Sequence, residues 1–300
     1  MTAARLPLGY RKARDRVVEA VLLLAALVAV FTTIAIVVTL VTESLPFFRH
    51  VRIADFLTDT MWTPLFAEPR YGIMPLVAGT LVTTFVALCV AIPCGTIIAI
   101  YLSEFAPYRL REVVKPALEL LGAVPTVVYG YFALLMVTPF LQKIIPGLPG
   151  FNMLSAGLVI GIMIIPYVAS VSEDAMRAVP NYMREGSYAM GATRFQTAVR
   201  VVFPAALSGI SAAYILGISR AVGETMVVAV AAGLQPNLTW NPTDSAATIT
   251  AFIVQVSLGD LPHGSIGYQS IFAAGLVLML ITLVFNLCGF ALTRRFREAY

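Results

Sequence analysis

Charged residues are scarce in this sequence. Asp, Glu, Lys and Arg make up 12% of its 300 residues, whereas a soluble domain contains about 25%. Hydrophobic residues account for 59%, and the mean hydropathy is +0.87. A soluble globular domain is therefore excluded, and the composition is that of an integral membrane protein.

Histidine and cysteine are also few, which argues against a metal centre or a disulfide framework. His50 and His263 stand alone in polar stretches, and a metal site needs clustered ligands. Cys89, Cys94 and Cys288 lie in apolar runs, where we expect them to pack as small hydrophobic residues. The nucleotide-binding motif G-xxxx-G-K-[ST] is missing, so ATP hydrolysis would belong to another chain. We predict no catalytic residue, metal ligand or cofactor in this chain, which is therefore not an enzyme by itself.

Long apolar runs dominate the sequence instead. Several reach the ~20 residues that an α-helix needs to cross ~30 Å of hydrocarbon. Pro93 and Gly95 are expected to interrupt the second run, and Gly157 and Gly161 to allow close helix packing in the fourth. The sequence predicts an all-α integral membrane protein with six transmembrane helices, at residues 17–41, 73–102, 116–141, 153–169, 205–233 and 271–292.

The distribution of basic residues predicts the orientation of these spans. Fifteen of the twenty Lys and Arg residues lie in the N-terminal tail, the turn at 109–115, the loop at 177–200 and the C-terminal tail. Four lie in the alternate loops, and Arg220 is the last. The positive-inside rule therefore predicts that both termini are cytoplasmic. The basic residues do not form an aromatic-rich patch of the kind that binds nucleic acid.

These boundaries predict four regions. The first is a cytoplasmic basic tail at residues 1–16, and the second is the first transmembrane helix with an external loop at 17–72. A core membrane domain covers 73–292 and includes a cytoplasmic loop at 176–204. A short cytoplasmic tail, 293–300, ends the chain.

The segment at residues 185–204, EGSYAMGATRFQTAVRVVFP, predicts a helical hairpin, which we call the hairpin segment. Asn181 is a plausible N-cap for its first helix, and Gly191 can end that helix in a sharp turn. Thr193 and Gln196 have the spacing of a capping box that begins the next helix. A compact hairpin of this kind in a basic loop suits docking to a partner protein, and an amphipathic surface hairpin without a partner is the alternative.

Two charged residues fall inside the fifth span. Arg220 is predicted near the middle of the membrane, and Glu224 is four residues further on, where it would share a helix face with Arg220 and form an ion pair. Ser219 and Thr225 add hydroxyl groups nearby. Arginine offers a planar fork of donors that fits a tetrahedral oxyanion, so an anion pathway is one interpretation. Mutual neutralisation of the two charges in the bundle is the other.

Two motifs carry a resemblance to a known family. The hairpin segment is similar to the EAA loop of ABC importer permeases, in which a glutamate is followed by a glycine six residues later and by a closing proline. The run R-A-V-G-E-T-M at residues 220–226 is similar to the permeases of the phosphate-specific importers, of the PstC type, and further matches extend over residues 62–233. The coupling residues that match the family pattern are Glu185, Gly186, Ser187, Gly191 and Pro204, with Gly186 and Ser187 at the two alanine positions.

The resemblance implies a type I importer permease (MetI-like) fold in a bacterial cytoplasmic membrane. It also implies partners: a PstA-type permease in a heterodimer, a pair of PstB-type ATPases that bind ATP and Mg, and a PstS-type protein that delivers inorganic phosphate. Arg220, Glu224, Ser219 and Thr225 would line the substrate pathway. Two alternatives within this class are the PstA-type subunit itself and a permease for another oxyanion. An ATP-independent anion channel or secondary transporter is the alternative from another class.

Overall fold

The computed structural model describes residues 8–64, 66, 68–259, 261, 262 and 264–295. Residues 1–7 of the N-terminal tail, His263 and the last five residues lie outside this range. Apart from one isolated antiparallel bridge between Trp62 and Tyr71, the regular structure in the described part is helical. The helices are α1 (Leu8–His50), α2 (Ile53–Thr58), α3 (Met74–Ile100), α4 (Tyr108–Ala123), α5 (Thr126–Phe132), α6 (Thr138–Ile144), α7 (Met153–Arg177), α8 (Asn181–Ala189), α9 (Arg194–Thr197), α10 (Phe203–Ala205), α11 (Leu207–Val222), α12 (Met226–Ala231), α13 (Ile249–Ser257) and α14 (Ile266–Arg295).

Three π-helical turns occur in the described part: two join neighbouring helices without a break, and one extends the end of α3. They are Tyr101–Phe105 after α3, Ala133–Val137 between α5 and α6, and Ala198–Val202 between α9 and α10. By length and hydropathy, five helical stretches of the described residues can span a membrane. These are Asp15–His50, Met74–Phe105, Thr126–Ile144, Met153–Arg177 and Ile266–Ala291. The helices Arg194–Ala205 and Leu207–Val222, bent by 73° from each other, make a sixth candidate if the pair is counted as one span.

α7 packs tightly against α3, and glycine makes the close approach possible. A Cβ added at Gly157 would lie 2.7 Å from Val86, and one at Gly161 would lie 2.7 Å from the carbonyl oxygen of Ala87. Gly95 on α3 repeats the arrangement, because its Cβ would lie 2.7 Å from Val168. The predicted packing role of Gly157 and Gly161 is confirmed. The expected interruption at Gly95 is wrong, since α3 continues through it and this glycine serves helix contact.

Several predicted span boundaries are corrected by the helices. α1 continues to His50, so residues 43–50 are helical, although they were expected in an external loop. The third span begins at Thr126 and not at residue 116, because α4 is a separate amphipathic helix with no buried residue. The predicted fifth span, 205–233, is not one helix: it bends near Ala206 and breaks again between α11 and α12. A helix interrupted at polar or small residues within a bundle is tolerated where neighbouring groups satisfy its backbone.

An aromatic cluster closes the end of the bundle opposite the hairpin segment. Phe47 at the end of α1 contacts Phe56 of α2 and Tyr71 edge to face, and Trp62 contacts Phe252 of α13 with ring centroids 5.0 Å apart. Edge-to-face aromatic pairs add to the stability gained from apolar burial. The cluster therefore fixes the loop between α2 and α3 against the bundle.

The cysteines do not pack in the core as expected. Cys89, Cys94 and Cys288 are free thiols exposed on the surface of this chain. Their sequence context is apolar because they lie on membrane-facing helices, and apolar context alone does not distinguish a core position from a lipid-facing one.

The orientation of the bundle can be tested with single cysteines in a variant whose three native cysteines are replaced by serine. Met190 in the hairpin segment is 89% exposed, and Leu258 at the end of α13 is 82% exposed. In intact cells, a membrane-impermeant thiol reagent should label Leu258→Cys and should label Met190→Cys only after the membrane is opened. The reverse pattern would contradict the orientation predicted by the positive-inside rule.

Candidate functional site

α11 carries Arg220 near its end, where the side chain is half-buried and its Nε atom is buried. Thirteen residues separate Leu207, at the start of α11, from Arg220, so the two lie ~20 Å apart along the helix. Gly217 lets α11 approach α7 closely, because a Cβ there would lie 3.2 Å from Val168 and 3.3 Å from Ile164. The packing of α11 on α7 therefore sets where Arg220 lies.

The expected ion pair between Arg220 and Glu224 is wrong. α11 ends at Val222, so Glu224 does not lie one helical turn above Arg220. Oε1 of Glu224 instead accepts hydrogen bonds from the backbone N–H groups of Met226 at 3.1 Å and Val227 at 3.3 Å. These are orphan donors at the start of α12, and a carboxylate satisfies them as a cap does. In the part of the chain that the structure describes, Glu224 forms no ion pair with Arg220.

The break between α11 and α12 is held by the start of α13. The hydroxyl of Thr250 donates a hydrogen bond to the backbone carbonyl of Glu224 at 2.7 Å, and the hydroxyl of Thr80 on α3 accepts one from the N–H of Ile249 at 3.1 Å. Glu224 is 8% exposed. The break is thus a fixed feature in which buried polar groups are paired.

Arg220 stacks on an aromatic ring that sequence reasoning missed. Its guanidinium carbon lies 4.1 Å from the centroid of the Tyr167 ring on α7. The Nε atom of Arg220 is buried and has no hydrogen-bond partner, and no carboxylate among the described residues forms an ion pair with it. The charge is therefore balanced within the described chain only by the face of one ring.

The two hydroxyl residues do not converge on the guanidinium. Ser219 donates a hydrogen bond to Oδ1 of Asn286 at 3.1 Å, which joins α11 to α14. Thr225 donates one to the carbonyl of Gly223 at 3.2 Å, within the break itself. Within the described ranges, Ser219, Glu224 and Thr225 hydrogen-bond to other parts of this chain, whereas Arg220 forms no hydrogen bond with the described residues.

The hairpin segment folds together with residues 181–184, which begin α8, into two short helices joined by a tight turn, and the name includes these four residues from here on. Gly191 has φ +81°, a conformation that glycine adopts without strain. Thr193 and Gln196 form the predicted capping box in both directions, so this prediction is confirmed. The predicted cap at Asn181 is wrong: Pro180 is the N-cap of α8, no side chain caps this end, and Asn181 is the first helical residue.

The outer face of the hairpin segment is exposed and rich in large side chains. Ser187 joins its two helices through a hydrogen bond with Thr197, with the hydroxyl oxygens 2.9 Å apart. Glu185 and Gly186 lie on the exposed side, and a Cβ at Gly186 would meet nothing within 4 Å, so the alanine of the family pattern would fit there. Pro204 lies in the first turn of α10. The large exposed residues are Tyr182, Tyr188, Met190, Phe195 and Val199.

A buried ion pair attaches the hairpin segment to the ends of α3 and α7. Arg184 on α8 binds Oε1 of Glu104 through Nη2 at 2.8 Å, and Glu104 lies in the π-helical turn after α3. The same guanidinium donates to the carbonyl oxygens of Val179 at 2.6 Å and Met176 at 2.9 Å. Arg184 therefore satisfies the orphan carbonyls at the end of α7 while it pairs with α3.

A second ion-pair network joins α4 to the same end of α7. Glu173 is fully buried and pairs with Lys115 at 2.7 Å and Arg111 at 3.1 Å. Lys115 also bonds Asp174. Burial opposes the charge of Lys115, but its hydrogen bonds to Asp174 and Glu173 outweigh that effect and raise its pKa. The pKa of Lys115 is thus higher in the folded protein than in the unfolded chain. The stabilising contribution of its charge is therefore fully present below the usual lysine pKa and is lost only as the pH rises through the raised value, in strong alkali.

Comparison with known proteins identifies the family. Residues 91–298 match the family described as "Binding-protein-dependent transport system inner membrane component". The chain belongs to this permease family. One relative is the probable ABC transporter permease protein YqgH of Bacillus subtilis, which is 35% identical over 87% of this chain and 85% of its own length. The phosphate transport system permease protein PstC of Mesorhizobium japonicum is 33% identical over 76% of this chain and 74% of its own length.

Solved structures show the same fold in other permeases. A permease chain of a bacterial alginate ABC transporter superposes with a TM-score of 0.65 at 18% identity, over 97% of this permease and 99% of that chain. A chain of the inward-facing MetNI methionine ABC transporter superposes with a TM-score of 0.55 at 20% identity, over 75% of this permease and 94% of that chain. The predicted all-α, MetI-like importer fold is confirmed. The cytoplasmic placement of the termini stays a prediction.

Loss of the Arg184–Glu104 pair should destabilise this permease more than loss of an exposed arginine. Arg184→Met leaves Glu104, 8% exposed, as an uncompensated charge, and breaking a buried pair costs about 3–5 kcal/mol. We expect a clearly lower midpoint of thermal unfolding in detergent. Arg200→Met, on the exposed side of the same loop, is the control and should unfold within about a degree of the wild type. Equal midpoints for the two variants would contradict a structural role of the pair.

Proposed function

We propose that this permease forms half of a translocation pathway for inorganic phosphate in an ATP-driven importer of a bacterial cytoplasmic membrane. The observation that carries the proposal is Arg220: its side chain is half-buried near the end of α11, and its Nε is buried without a partner among the described residues. Placing such a charge in a membrane costs at least ~2.5 kcal/mol. Relatives named as phosphate transport permeases, at 33–34% identity, support phosphate as the anion.

The geometry fits recognition of an oxyanion by arginine. The guanidinium is a planar fork of N–H donors that can bind two oxygens of a tetrahedral anion at once. Because Glu224 is engaged at the start of α12, it does not compete for these donors. An anion that reached Arg220 would meet a positive charge that stacks on an aromatic face and that forms no ion pair with a carboxylate in the part of the chain that the structure describes.

The hairpin segment is the proposed docking surface for a separate ATPase. It combines exposed aromatic and apolar side chains with a buried ion pair that fixes it to α3 and α7. ATP and Mg would bind the ATPase pair of the PstB type. A PstA-type permease would complete the pathway, and a PstS-type protein would deliver phosphate on the far side of the membrane.

Family membership favours this function over the other predicted classes. An ATP-independent channel or secondary transporter would have no use for a rigid, exposed hairpin at one end of the bundle. A permease of the PstA type, or one for another oxyanion, would keep the same arginine chemistry. Uptake measured with phosphate, sulfate and molybdate in parallel distinguishes these substrates.

Replacement of Arg220 should abolish transport without disrupting the complex. Arg220→Gln removes the charge and the fork, and hydrogen bonds to charged groups contribute about 1.5–3 kcal/mol, so uptake should fall about 10- to 150-fold. Arg220→Lys keeps the charge but loses the fork, and it should retain little transport. Phosphate uptake is measured in vesicles that contain the purified complex and is normalised to assembled complex.

Arg52→Gln is the matched control for the arginine series, because Arg52 is exposed just before α2, at the end of the bundle opposite the hairpin segment. It should transport at the wild-type rate. Since Glu224 and Arg220 are not paired, the double change Arg220→Gln with Glu224→Gln should be no better than Arg220→Gln alone. A double variant with near-wild-type uptake would overturn the anion-pathway proposal.

The turn of the hairpin segment offers a test of ATPase coupling. Gly191→Ala places a side chain at φ +81°, which costs about 1–2 kcal/mol. Less ATPase subunit should therefore copurify, or its hydrolysis should become uncoupled from uptake. Gly147→Ala is the matched control, because it places a Cβ at a similar φ of +85° with nothing within 4 Å and lies between α6 and α7, outside the hairpin segment. Full binding and coupling in the Gly191 variant would mean that the ATPase docks elsewhere.

A further inference from the structure

Tyr167 is the residue of α7 that contacts Arg220 directly. Its ring lies under the guanidinium, 4.1 Å from the guanidinium carbon to the ring centroid, and the side chain is half-buried. A cation over an aromatic face is attracted to the ring without losing its N–H donors. The ring can therefore hold the plane of the guanidinium while the donors at its edge stay available to an anion.

The hydroxyl of Tyr167 is bound to the junction between α4 and α5. It donates a hydrogen bond to the carbonyl oxygen of Gly122 at 3.0 Å, one residue before α4 ends at Ala123. A Cβ at Gly122 would lie 3.1 Å from this hydroxyl, so glycine permits the close contact. Tyr129 of α5 makes the equivalent bond to the neighbouring carbonyl of Leu121, at 2.8 Å. Two tyrosine hydroxyls thus bind the carbonyls at this helix end, where that of Leu121 also accepts from the N–H of Val124 at 3.4 Å.

Tyr167 also lies on the helix to which the hairpin segment is attached. Ten residues separate it from Arg177, the last residue of α7, a distance of ~15 Å along the helix. Arg184 binds the carbonyl of Met176 at that end. One continuous helix therefore joins the attachment of the proposed docking surface to the ring that contacts Arg220.

We propose that Tyr167 is the positioning residue for Arg220 in oxyanion recognition: its ring orients the guanidinium fork, and its hydroxyl fixes that ring to the α4–α5 junction. This inference rests on the proposed function, because it concerns the same arginine. Tyr167 itself does not bind the anion. Its contribution is to hold a flexible, charged side chain in one orientation before the anion arrives, which reduces the entropy that binding would otherwise cost.

The test replaces the ring and the hydroxyl separately in the complete importer complex. Tyr167→Leu and Tyr167→Met remove both groups, while Tyr167→Phe keeps the ring. Inorganic phosphate uptake into vesicles is measured over a range of external phosphate, so that KM and the maximal rate are obtained separately. Loss of the ring should raise KM about 2- to 30-fold, the range that corresponds to a cation–π contact. Tyr167→Phe keeps the ring but loses its bond to Gly122, so its KM should lie between that of the wild type and those of the Leu and Met variants.

Tyr129→Leu is the matched control, because Tyr129 makes the same kind of bond at the same junction and Arg220 stacks on Tyr167 instead. Its KM should stay at the wild-type value, whatever happens to the maximal rate. The inference would be overturned by an equal rise in KM for the Tyr129 and Tyr167 variants. It would also be overturned if neither Tyr167→Leu nor Tyr167→Met raised KM in an assembled complex. In both cases, phosphate uptake by the wild type would leave the proposed function standing. A wild-type complex that transports no phosphate, with its ATPase active, would remove the proposed function and this inference together.

Discussion

The close packing of α7 against α3 and α11 is the contact on which both candidate sites depend. Gly95, Gly157 and Gly161 bring α3 and α7 so near that a single added methyl group would collide with backbone or β-branched side chains. Within a membrane, helices gain no hydrophobic free energy by meeting each other, so van der Waals packing at small residues supplies much of the attraction. α7 is thereby fixed along its length. Its middle presents Tyr167 to Arg220, and its end receives Arg184 from the hairpin segment.

The need to hydrogen-bond the free N–H and C=O groups at helix ends explains which polar side chains lie there. A helix end inside a bundle leaves N–H and C=O groups that water does not reach, and each unsatisfied group is costly. At the start of α12 the carboxylate of Glu224 binds two N–H groups. At the end of α4 two tyrosine hydroxyls bind carbonyl groups, and at the end of α7 a guanidinium does so. At these three helix ends, polar residues that look like functional groups in the sequence therefore stabilise the backbone instead.

Sequence reasoning succeeded where the signal is local or compositional. Hydropathy predicted the membrane-spanning helices, and the spacing of Thr193 and Gln196 predicted a capping box that the structure contains. The position of Gly191 in a tight turn followed from the same local chemistry. The break between α11 and α12 was not predicted, because the run through Gly223 is apolar enough to continue as one helix. Tyr167 was missed for a related reason. Its contact with Arg220 joins two helices, α7 and α11, and the sequence pattern of neither helix indicates that contact.

The separation of Glu224 from Arg220 changes the electrostatic character of the pathway. An ion pair would have been neutral overall, and an approaching anion would have had to displace a carboxylate before it could bind. With Glu224 engaged at α12, the region around Arg220 keeps a positive charge in apolar surroundings. The Tyr167 ring offsets only part of the desolvation cost, since a cation–π contact contributes about 0.5–2 kcal/mol against at least ~2.5 kcal/mol for the buried charge. The remainder of that cost is not offset by an ion pair among the described residues, and an anion bound to the guanidinium would offset it.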